Sequence, residues 1–247
     1  MQLTISARSL AYYATDRFCP LCAWIKLNVK NLPYQSFPAI FSSIDRYNKL
    51  IVQSHFQREN ALPLWLSELG EVNGYINPPH WTSFAVLHQE TGITLRGEAD
   101  GIFKMADGSY TIVDYKTSRY TGGQRAMRAL YQAQLNAYAF IGERLGMYPV
   151  RRLALVYMEP VTDEVTAADP RQVDGRGVTL GFKARVVGVK LDPDGLIPPL
   201  LRKAKEVSLL ETPPLGLPGC KDCDALDALM TALHGSDQAF PDTLVAC

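Results

Sequence analysis

The chain opens with apolar residues at helical spacing. Between residues 6 and 28 this spacing is interrupted by a Cys-Pro-Leu-Cys segment at 19–22, which predicts two short helices around a cysteine turn. The same spacing returns at 42–69, where Pro63 is suited to begin a second helical segment. The first third of the chain is therefore predicted to be helical.

The pattern then becomes typical of strands, with many β-branched and aromatic residues. Three such segments are predicted, at 83–89, 93–104 and 110–117. Asp107-Gly108 supplies a hairpin turn between the last two. We expect the three strands to form a β-meander.

Helical spacing is clearest at 124–145, where an apolar stripe runs along the segment and Gly146 is a suitable stop. Strands are predicted at 151–158 and 180–191, and a last helix at 195–210. A strand, helix, strand passage indicates a right-handed crossover in a mixed sheet. The predicted fold class is α/β, with a mixed central sheet flanked by helices.

Composition excludes several classes of protein. The 247 residues are 47% hydrophobic, with ordinary glycine and proline contents, which argues against a disordered tail, a collagen-like repeat or a small disulfide scaffold. No apolar run has the length of a membrane span, and the opening MQLTISARSL lacks the order of a secretory signal. We expect a soluble, cytoplasmic protein without a membrane partner.

Charge is unevenly distributed along the chain. Lysine plus arginine and aspartate plus glutamate number 25 each, so the formal net charge is zero. Residues 115–152, however, carry seven basic side chains and one acidic one. Such a segment can hold a polyanion locally, although a solvated helix face would have the same composition.

An acidic hairpin carries the first candidate chemistry. Asp114 and Lys116 lie two residues apart on one predicted strand, so their side chains point to the same face. Folding about Asp107-Gly108 sets Asp100 opposite Tyr115 and within one residue of Asp114. Two carboxylates and one ammonium group are therefore expected to converge.

Such a cluster has an obvious use and an ordinary alternative. Mg²⁺ and Mn²⁺ prefer oxygen ligands and retain water, so two carboxylates on a rigid hairpin can form a site open to a phosphate. A neighbouring lysine can orient water and balance developing charge. The alternative is a charged solvent face with an Asp/Lys pair.

On the following helix, Gln134 and Tyr138 lie four residues apart and so share one face. By itself, such a pair is also typical of the edge of a core.

Together these motifs resemble a known family. Gly97-x-x-Asp100, then Asp114-Tyr115-Lys116-Thr117-Ser118, then Gln134-x-x-x-Tyr138 is similar to the PD-(D/E)XK nuclease superfamily, specifically its RecB-like branch. That branch includes the CRISPR-associated RecB-like exonucleases, whose beginnings the segment 5–10 and its cysteine turn also resemble. The resemblance implies a restriction-endonuclease-like core with an N-terminal helical region.

The resemblance also implies roles for individual residues. Asp100 and Asp114 correspond to metal ligands, Lys116 to the catalytic lysine, and Tyr115 to a residue whose backbone carbonyl binds the metal. Gln134 and Tyr138 would lie beside the scissile strand or the ligands. The implied active-site cofactor is Mg²⁺ or Mn²⁺.

A further metal ligand is expected on a helix before the meander. His55 is the candidate, and Glu59, one turn later, is its rival. His80 and His88 are less favoured because the first follows two prolines and the second lies on an outer strand. A lone helical histidine is also common at a surface or at the edge of a core.

Two CxxC pairs predict a second metal centre. Cys19 and Cys22, with Cys220 and Cys223, supply four thiolates, which suits one metal better than disulfides in a reducing compartment. The resemblance implies a [4Fe-4S] cluster, but the usual spacing has one early and three late cysteines, so structural Zn²⁺ is the alternative. Cys247 is expected to be unbound.

The sequence thus predicts a metal-dependent DNA nuclease, with exonuclease action on single-stranded or end-bearing DNA implied by the resemblance. Arg119, Arg125 and Arg128 are expected to hold the phosphate backbone. One nuclease domain is expected over 1–247, in three parts: a helical region (1–80), a catalytic core (81–192) and a closing segment (193–247). Recombination, repair or CRISPR adaptation proteins are implied partners, and a non-catalytic or partner-dependent binding module is the alternative.

Overall fold

The computed structural model describes residues 3–29, 38–122 and 125–234, apart from the side chains of residues 125, 126 and 234. The N-terminal part begins with a short strand, β1 (Thr4–Ser6), which leads directly into α1 (Ala7–Ala11). Ser6 caps this helix by accepting a hydrogen bond from the Ser9 N–H. A 3₁₀ turn follows at Tyr12–Ala14, and α2 (Pro20–Asn28) starts with proline at its first position.

A long helix, α3 (Ala39–Glu59), ends at Asn60, whose backbone is left-handed. A 3₁₀ helix (Leu64–Leu69) begins after Pro63, as the sequence predicts for a second segment. The strand β2 (Val72–Ile76) then enters the central sheet.

The strand region contains two sheets. β3 (Ala85–His88) and β4 (Ile93–Arg96) are antiparallel, and β1 pairs in parallel with β4. The next hairpin, β5 (Gly101–Met105) and β6 (Tyr110–Lys116), turns at Asp107-Gly108 and belongs to the central sheet. Gly108 has a φ of +83°, which glycine adopts without strain.

The predicted crossover joins two parallel strands. Helix α4 (Arg125–Arg144) connects β6 to β7 (Val150–Pro160), and these strands pair in parallel. After α5 (Glu164–Ala167) and a small hairpin of β8 (Val173–Asp174) and β9 (Gly177–Val178), β10 (Phe182–Val189) pairs antiparallel with β7. The central sheet has the order β10-β7-β6-β5-β2 and is mixed. Two helices complete the described chain, α6 (Pro193–Ser208) and α7 (Lys221–His234).

Helices cover both faces of this sheet. Successive residues of β6 point to opposite faces, so Ile112 packs in the cluster that includes residues of α1, α4 and α6, whereas Val113 packs in the cluster beneath Val52 of α3 and the 3₁₀ helix. The predicted fold class, a mixed central sheet flanked by helices, is confirmed. None of the helices in the described ranges has the length and apolar character that a membrane crossing requires.

One strand prediction is wrong in a way that matters for the site. The segment 93–104 forms two strands in different sheets, so the expected three-strand meander divides into the antiparallel pair β3–β4 and the β5–β6 hairpin. The break falls at 97–100, where the chain passes against α4. A Cβ at Gly97 would lie 2.8 Å from ring carbons of Tyr138, so this close approach requires glycine. β1 and β2 were not predicted, because their pairing depends on distant partners.

Candidate active site and cysteine centre

Two aspartates converge at the end of the β5–β6 hairpin. Gly101 is paired with Val113, so Asp100 lies level with Asp114, one residue from the predicted register opposite Tyr115. The Asp100 Oδ2 atom accepts a hydrogen bond of 2.8 Å from the Tyr115 N–H. The hairpin therefore fixes the Asp100 carboxylate through the backbone of the strand that carries Asp114 and Lys116.

Helix α3 contributes two further charges that the sequence analysis did not single out. The Lys49 Nζ atom lies 2.6 Å from Asp100 Oδ1 and 2.7 Å from Asp45 Oδ2. Asp45 and Lys49 are four residues apart and so share a helix face. That spacing is the available sequence signal, but ordinary surface ion pairs share it. Only the packing of α3 against the sheet directs this pair to Asp100.

Helix α4 holds the second aspartate. The Gln134 side-chain amide donates to Asp114 Oδ1 at 3.1 Å and to the Tyr138 hydroxyl oxygen at 2.7 Å. The Lys116 ammonium forms an ion pair with Asp114 Oδ2 and lies 4.3 Å from the centre of the Tyr131 ring. The structure therefore brings Asp100, Asp114, Lys116, Gln134 and Tyr138 together.

Burial makes this charge cluster unusual. Asp114 is only 3% exposed, and burial raises the pKa of its carboxyl group against the opposing effect of Lys116. Burial, and then the charge of Asp114, raise the pKa of Asp100 to about 7. Burial is the largest single influence on Lys49 and would lower its pKa, but the charges of Asp100 and Asp45 and the contacts with both carboxylates together raise that pKa. The two carboxylates therefore need nearby positive charge to remain ionised together.

One carboxylate oxygen has unused acceptor capacity. Asp114 Oδ2 is buried and has no hydrogen-bond partner among the described residues, although the Lys116 ammonium forms an ion pair with it. Buried polar atoms are rarely left in this state unless an ion or water completes them. An oxygen donor set with a free acceptor fits a hard divalent cation.

An open cleft of about 620 Å³ lies beside the cluster. Asp100, Lys116 and Gln134 line it, together with Asp45 of α3 and Arg8 of α1. Arg8 is exposed and adds positive charge at the cleft. The cleft therefore combines clustered carboxylates with cationic groups, as a site for an anionic substrate and a cation requires.

The histidine candidates lie elsewhere. His55 is half-buried on α3, six residues beyond Lys49, which corresponds to about 9 Å along a helix and a different face. Within the described residues, no hydrogen bond or ion pair joins His55 or Glu59 to Asp100 or Asp114. His80 and His88 contact Thr82 and Thr91, respectively. The structure thus does not bring these histidines to the aspartates, and His55 as a ligand remains a prediction.

The basic candidates follow the hairpin. The Arg119 guanidinium donates to Thr162 Oγ1 at 3.0 Å, and that of Arg128 donates to the Gly122 carbonyl oxygen at 3.2 Å. Arg125 begins α4, but its side chain lies outside the described part of the structure. Their contacts with DNA remain a prediction.

The four predicted cysteines meet although two hundred residues separate the pairs. Cys19 precedes α2 and Cys22 lies in its first turn; likewise, Cys220 precedes α7 and Cys223 lies in its first turn. Their four sulfur atoms lie within 4.8 Å of one another, and the separations include 3.4 Å (Cys19 to Cys223) and 3.6 Å (Cys22 to Cys220 and to Cys223). All four are free thiols. The geometry provides a Cys₄ group that could hold a metal.

Local hydrogen bonds prepare one of these thiols for ionisation. Burial opposes ionisation of Cys19, but hydrogen bonds from the backbone N–H groups of Cys22 and Leu217, together with those from the Cys223 and Cys22 thiols, lower the pKa of the Cys19 thiol to about 7. Burial raises the pKa of Cys22 to about 12 and also raises that of Cys223. A metal that binds all four sulfurs would displace the remaining thiol protons. Cys247 lies outside the described residues.

Comparison with known proteins identifies the class to which this fold belongs. The family model of the PD-(D/E)XK nuclease superfamily matches residues 42–227, and the chain belongs to that superfamily. No curated protein matches the chain in sequence. A solved structure described as "Crystal structure of SSO0001" is similar at a TM-score of 0.40 and 16% identity, over 85% of this chain and 77% of that one.

Proposed function

We propose that this protein is a metal-dependent DNA nuclease that hydrolyses phosphodiester bonds in the cleft beside Asp100 and Asp114. The observation that carries the proposal is the buried aspartate pair with Lys116, in which one carboxylate oxygen lacks a hydrogen bond. Membership of a nuclease superfamily supports the same chemistry. The proposed substrate is single-stranded or end-bearing DNA, and exonuclease action in recombination, repair or CRISPR adaptation is the proposed context.

Asp100, Asp114 and the Tyr115 backbone carbonyl would hold Mg²⁺ or Mn²⁺. A bound ion of this kind supplies Lewis-acid stabilisation of phosphate oxygens. Asp45, which is linked to Asp100 through Lys49, is an additional carboxylate near this position and a rival to His55 as the ligand from α3. Oxygen ligands alone favour these hard cations over softer ones.

The surrounding side chains have separate roles in this proposal. Lys116 directs positive charge into the cleft, where negative charge grows on the phosphate during hydrolysis. Gln134 holds Asp114 Oδ1, and Tyr138 in turn contacts Gln134, so the carboxylate has a fixed orientation. Arg8, Arg119, Arg125 and Arg128 would hold the flanking phosphates without regard to base sequence.

Cleavage of end-labelled DNA tests the proposal. Wild-type protein is incubated with single-stranded and duplex DNA in Mn²⁺, Mg²⁺ or EDTA. We expect products with either metal and none with EDTA. Without a divalent cation, the two anionic aspartates repel the phosphate, and no Lewis acid stabilises the charge that develops on it. Folded, metal-supplied protein that cuts neither substrate would contradict an autonomous nuclease. It would favour the partner-dependent binding module, to which the zero net charge is also suited.

A Lys49→Met variant tests whether a cation belongs at the aspartates. Without divalent metal, we expect the variant to lose about 1–3 kcal/mol of unfolding free energy, since Asp100 loses an ion-pair partner at 2.6 Å in a mostly buried setting. Mn²⁺ should then raise its melting temperature more than that of wild type, because no ammonium competes for Asp100. Thermal unfolding with and without Mn²⁺ measures both effects. Lys104→Met, on an exposed position of β5, is the matched control, and equal Mn²⁺ shifts in all three proteins would contradict the prediction.

For the cysteine group, we propose a single Zn²⁺ ion. Tetrahedral Zn–S bonds of about 2.3 Å set neighbouring sulfurs roughly 3.8 Å apart. In a [4Fe-4S] cluster each cysteine binds a different iron, which holds the sulfurs wider apart. The separations of 3.4 and 3.6 Å support one ion, and the cluster implied by the resemblance is the other outcome of metal analysis.

A further inference from the structure

A second cavity, of about 330 Å³, lies beside the catalytic cleft. Three tyrosines line it: Tyr120 from the loop after β6, Tyr131 from α4 and Tyr157 from β7. Leu155 and Val187 add apolar surface from neighbouring strands of the sheet. We name this cavity the tyrosine pocket. Its walls are mainly aromatic and aliphatic, as in pockets that bind a flat ring.

The tyrosine pocket and the catalytic cleft share a wall. Tyr131 and Met127 line both cavities. The Lys116 ammonium lies 4.3 Å from the centre of the Tyr131 ring, so this ring stands directly beside the proposed catalytic lysine. A group in the pocket is therefore about one side chain away from a phosphate in the cleft.

Tyr120 is held in place by several contacts. Its backbone N–H donates to Glu159 Oε1 at 3.2 Å, and its ring centre lies 5.1 Å from that of Tyr157. The guanidinium group of Arg185 lies 5.5 Å from the centre of the Tyr120 ring and forms an ion pair with Glu159 at 3.4 Å. These contacts order an aromatic ring in a loop, and none of them involves the aspartate cluster. A preformed ring binds with a small loss of conformational entropy.

The charges around the pocket suit a ligand in which a flat ring carries an anionic group. Arg128 and Lys190 line it, and no aspartate or glutamate is among its described lining residues. Gln132 adds an amide that can both donate and accept hydrogen bonds. A nucleotide combines these features, since it has a flat base with polar edges and an anionic phosphate.

We propose that the tyrosine pocket receives one unpaired base of the DNA strand whose phosphate lies in the catalytic cleft. This inference rests on the proposed nuclease function and goes beyond it by giving a physical basis for strand preference. A base in a duplex is stacked and paired, so it cannot enter without being extruded. Single strands and frayed ends provide an unpaired base directly. Stacking on tyrosine tolerates any base, which agrees with binding that is not sequence-specific.

Binding of two labelled 12-nucleotide strands tests the proposal, in EDTA to prevent cleavage. One strand carries all of its bases, and the other is fully abasic with the same phosphates. We expect wild type to bind the strand with bases about tenfold more tightly, within the range for stacking of a base on an aromatic side chain. Tyr120→Ala should bring this ratio close to one while leaving the affinity for the abasic strand unchanged.

Two control variants separate the pocket from general effects. Tyr120→Phe keeps the ring and should retain the wild-type ratio. Tyr148→Ala should retain it too, because it removes an exposed tyrosine just before β7 begins, whereas Tyr157 of the pocket lies near the end of that strand. A wild-type ratio of one would overturn the proposal without any variant, and so would an unchanged ratio in folded Tyr120→Ala.

Cleavage in Mn²⁺ is measured in parallel, so that failure of the pocket can be distinguished from failure of the nuclease. Cleavage with a ratio of one defeats the pocket alone, whereas a tenfold ratio without cleavage defeats the nuclease and retains the pocket.

Discussion

Lys116→Ala and Asp114→Asn are each expected to reduce metal-dependent DNA cleavage by at least about 10²–10³-fold. Lys116 is the ammonium group paired with Asp114, and its removal takes positive charge away from the phosphate as negative charge develops. Asp114→Asn keeps the shape of the side chain and the contact with Gln134 but removes the carboxylate charge that a divalent cation needs.

Initial rates on end-labelled single-stranded and duplex DNA in Mn²⁺ measure this effect. Lys104→Ala is the matched control, because it removes an exposed lysine from the neighbouring strand and should leave the rate unchanged. Circular dichroism and thermal unfolding establish that the variants are folded. Cleavage at the wild-type rate by folded Lys116→Ala and Asp114→Asn would place the active site elsewhere or attribute the activity to a contaminant.

Loss of one cysteine from the Cys₄ group is expected to have the second large effect. Cys220→Ala leaves three thiols, so the metal is lost or bound weakly, and the contact between α7 and the start of α2 is no longer held. Structural zinc supplies up to about 10–16 kcal/mol of apparent binding energy in small peptides. In a protein of this size, a loss of even about 3 kcal/mol lowers the melting temperature by roughly 6–12 °C.

Metal analysis and absorption spectra of anaerobically purified protein identify the ion. One zinc per chain and no visible colour would agree with the sulfur separations of 3.4 to 3.6 Å, whereas four irons and a brown colour would establish the cluster. Cys247→Ser is the control, because the sequence predicts that this cysteine is unbound. A Cys220→Ala protein with full metal content and unchanged melting temperature would contradict a shared Cys₄ site.

The buried charges of the aspartate cluster are not what stability of the fold alone would require. Burial raises the pKa values of Asp100 and Asp114, and Lys49 and Lys116 oppose that rise. Stability alone could be obtained more simply with apolar residues at these positions. Buried charges of this kind support the binding and catalytic role proposed for the cluster.

Much of the candidate site could be predicted because its parts are close in sequence. A hairpin with a clear Asp-Gly turn brings Asp100 to Asp114 and Lys116 with an error of one residue in register. Gln134 and Tyr138 follow from helical periodicity on the next element. Two short-range rules, alternation along strands and the helical repeat, predict which of these side chains share a face, and the family resemblance singled them out as site residues.

Other features depend on contacts between distant segments, which no local pattern encodes. The sequence alone determined the mixed α/β class, the acidic hairpin, the Gln134 and Tyr138 face, and the two CxxC pairs. The tertiary structure decided that Asp45 and Lys49 reach Asp100, that 93–104 divides between two sheets, and that three tyrosines form one pocket. The physical reason is that side-chain periodicity reports which face of an element is buried, whereas the packing of whole helices and sheets selects the partner of that face.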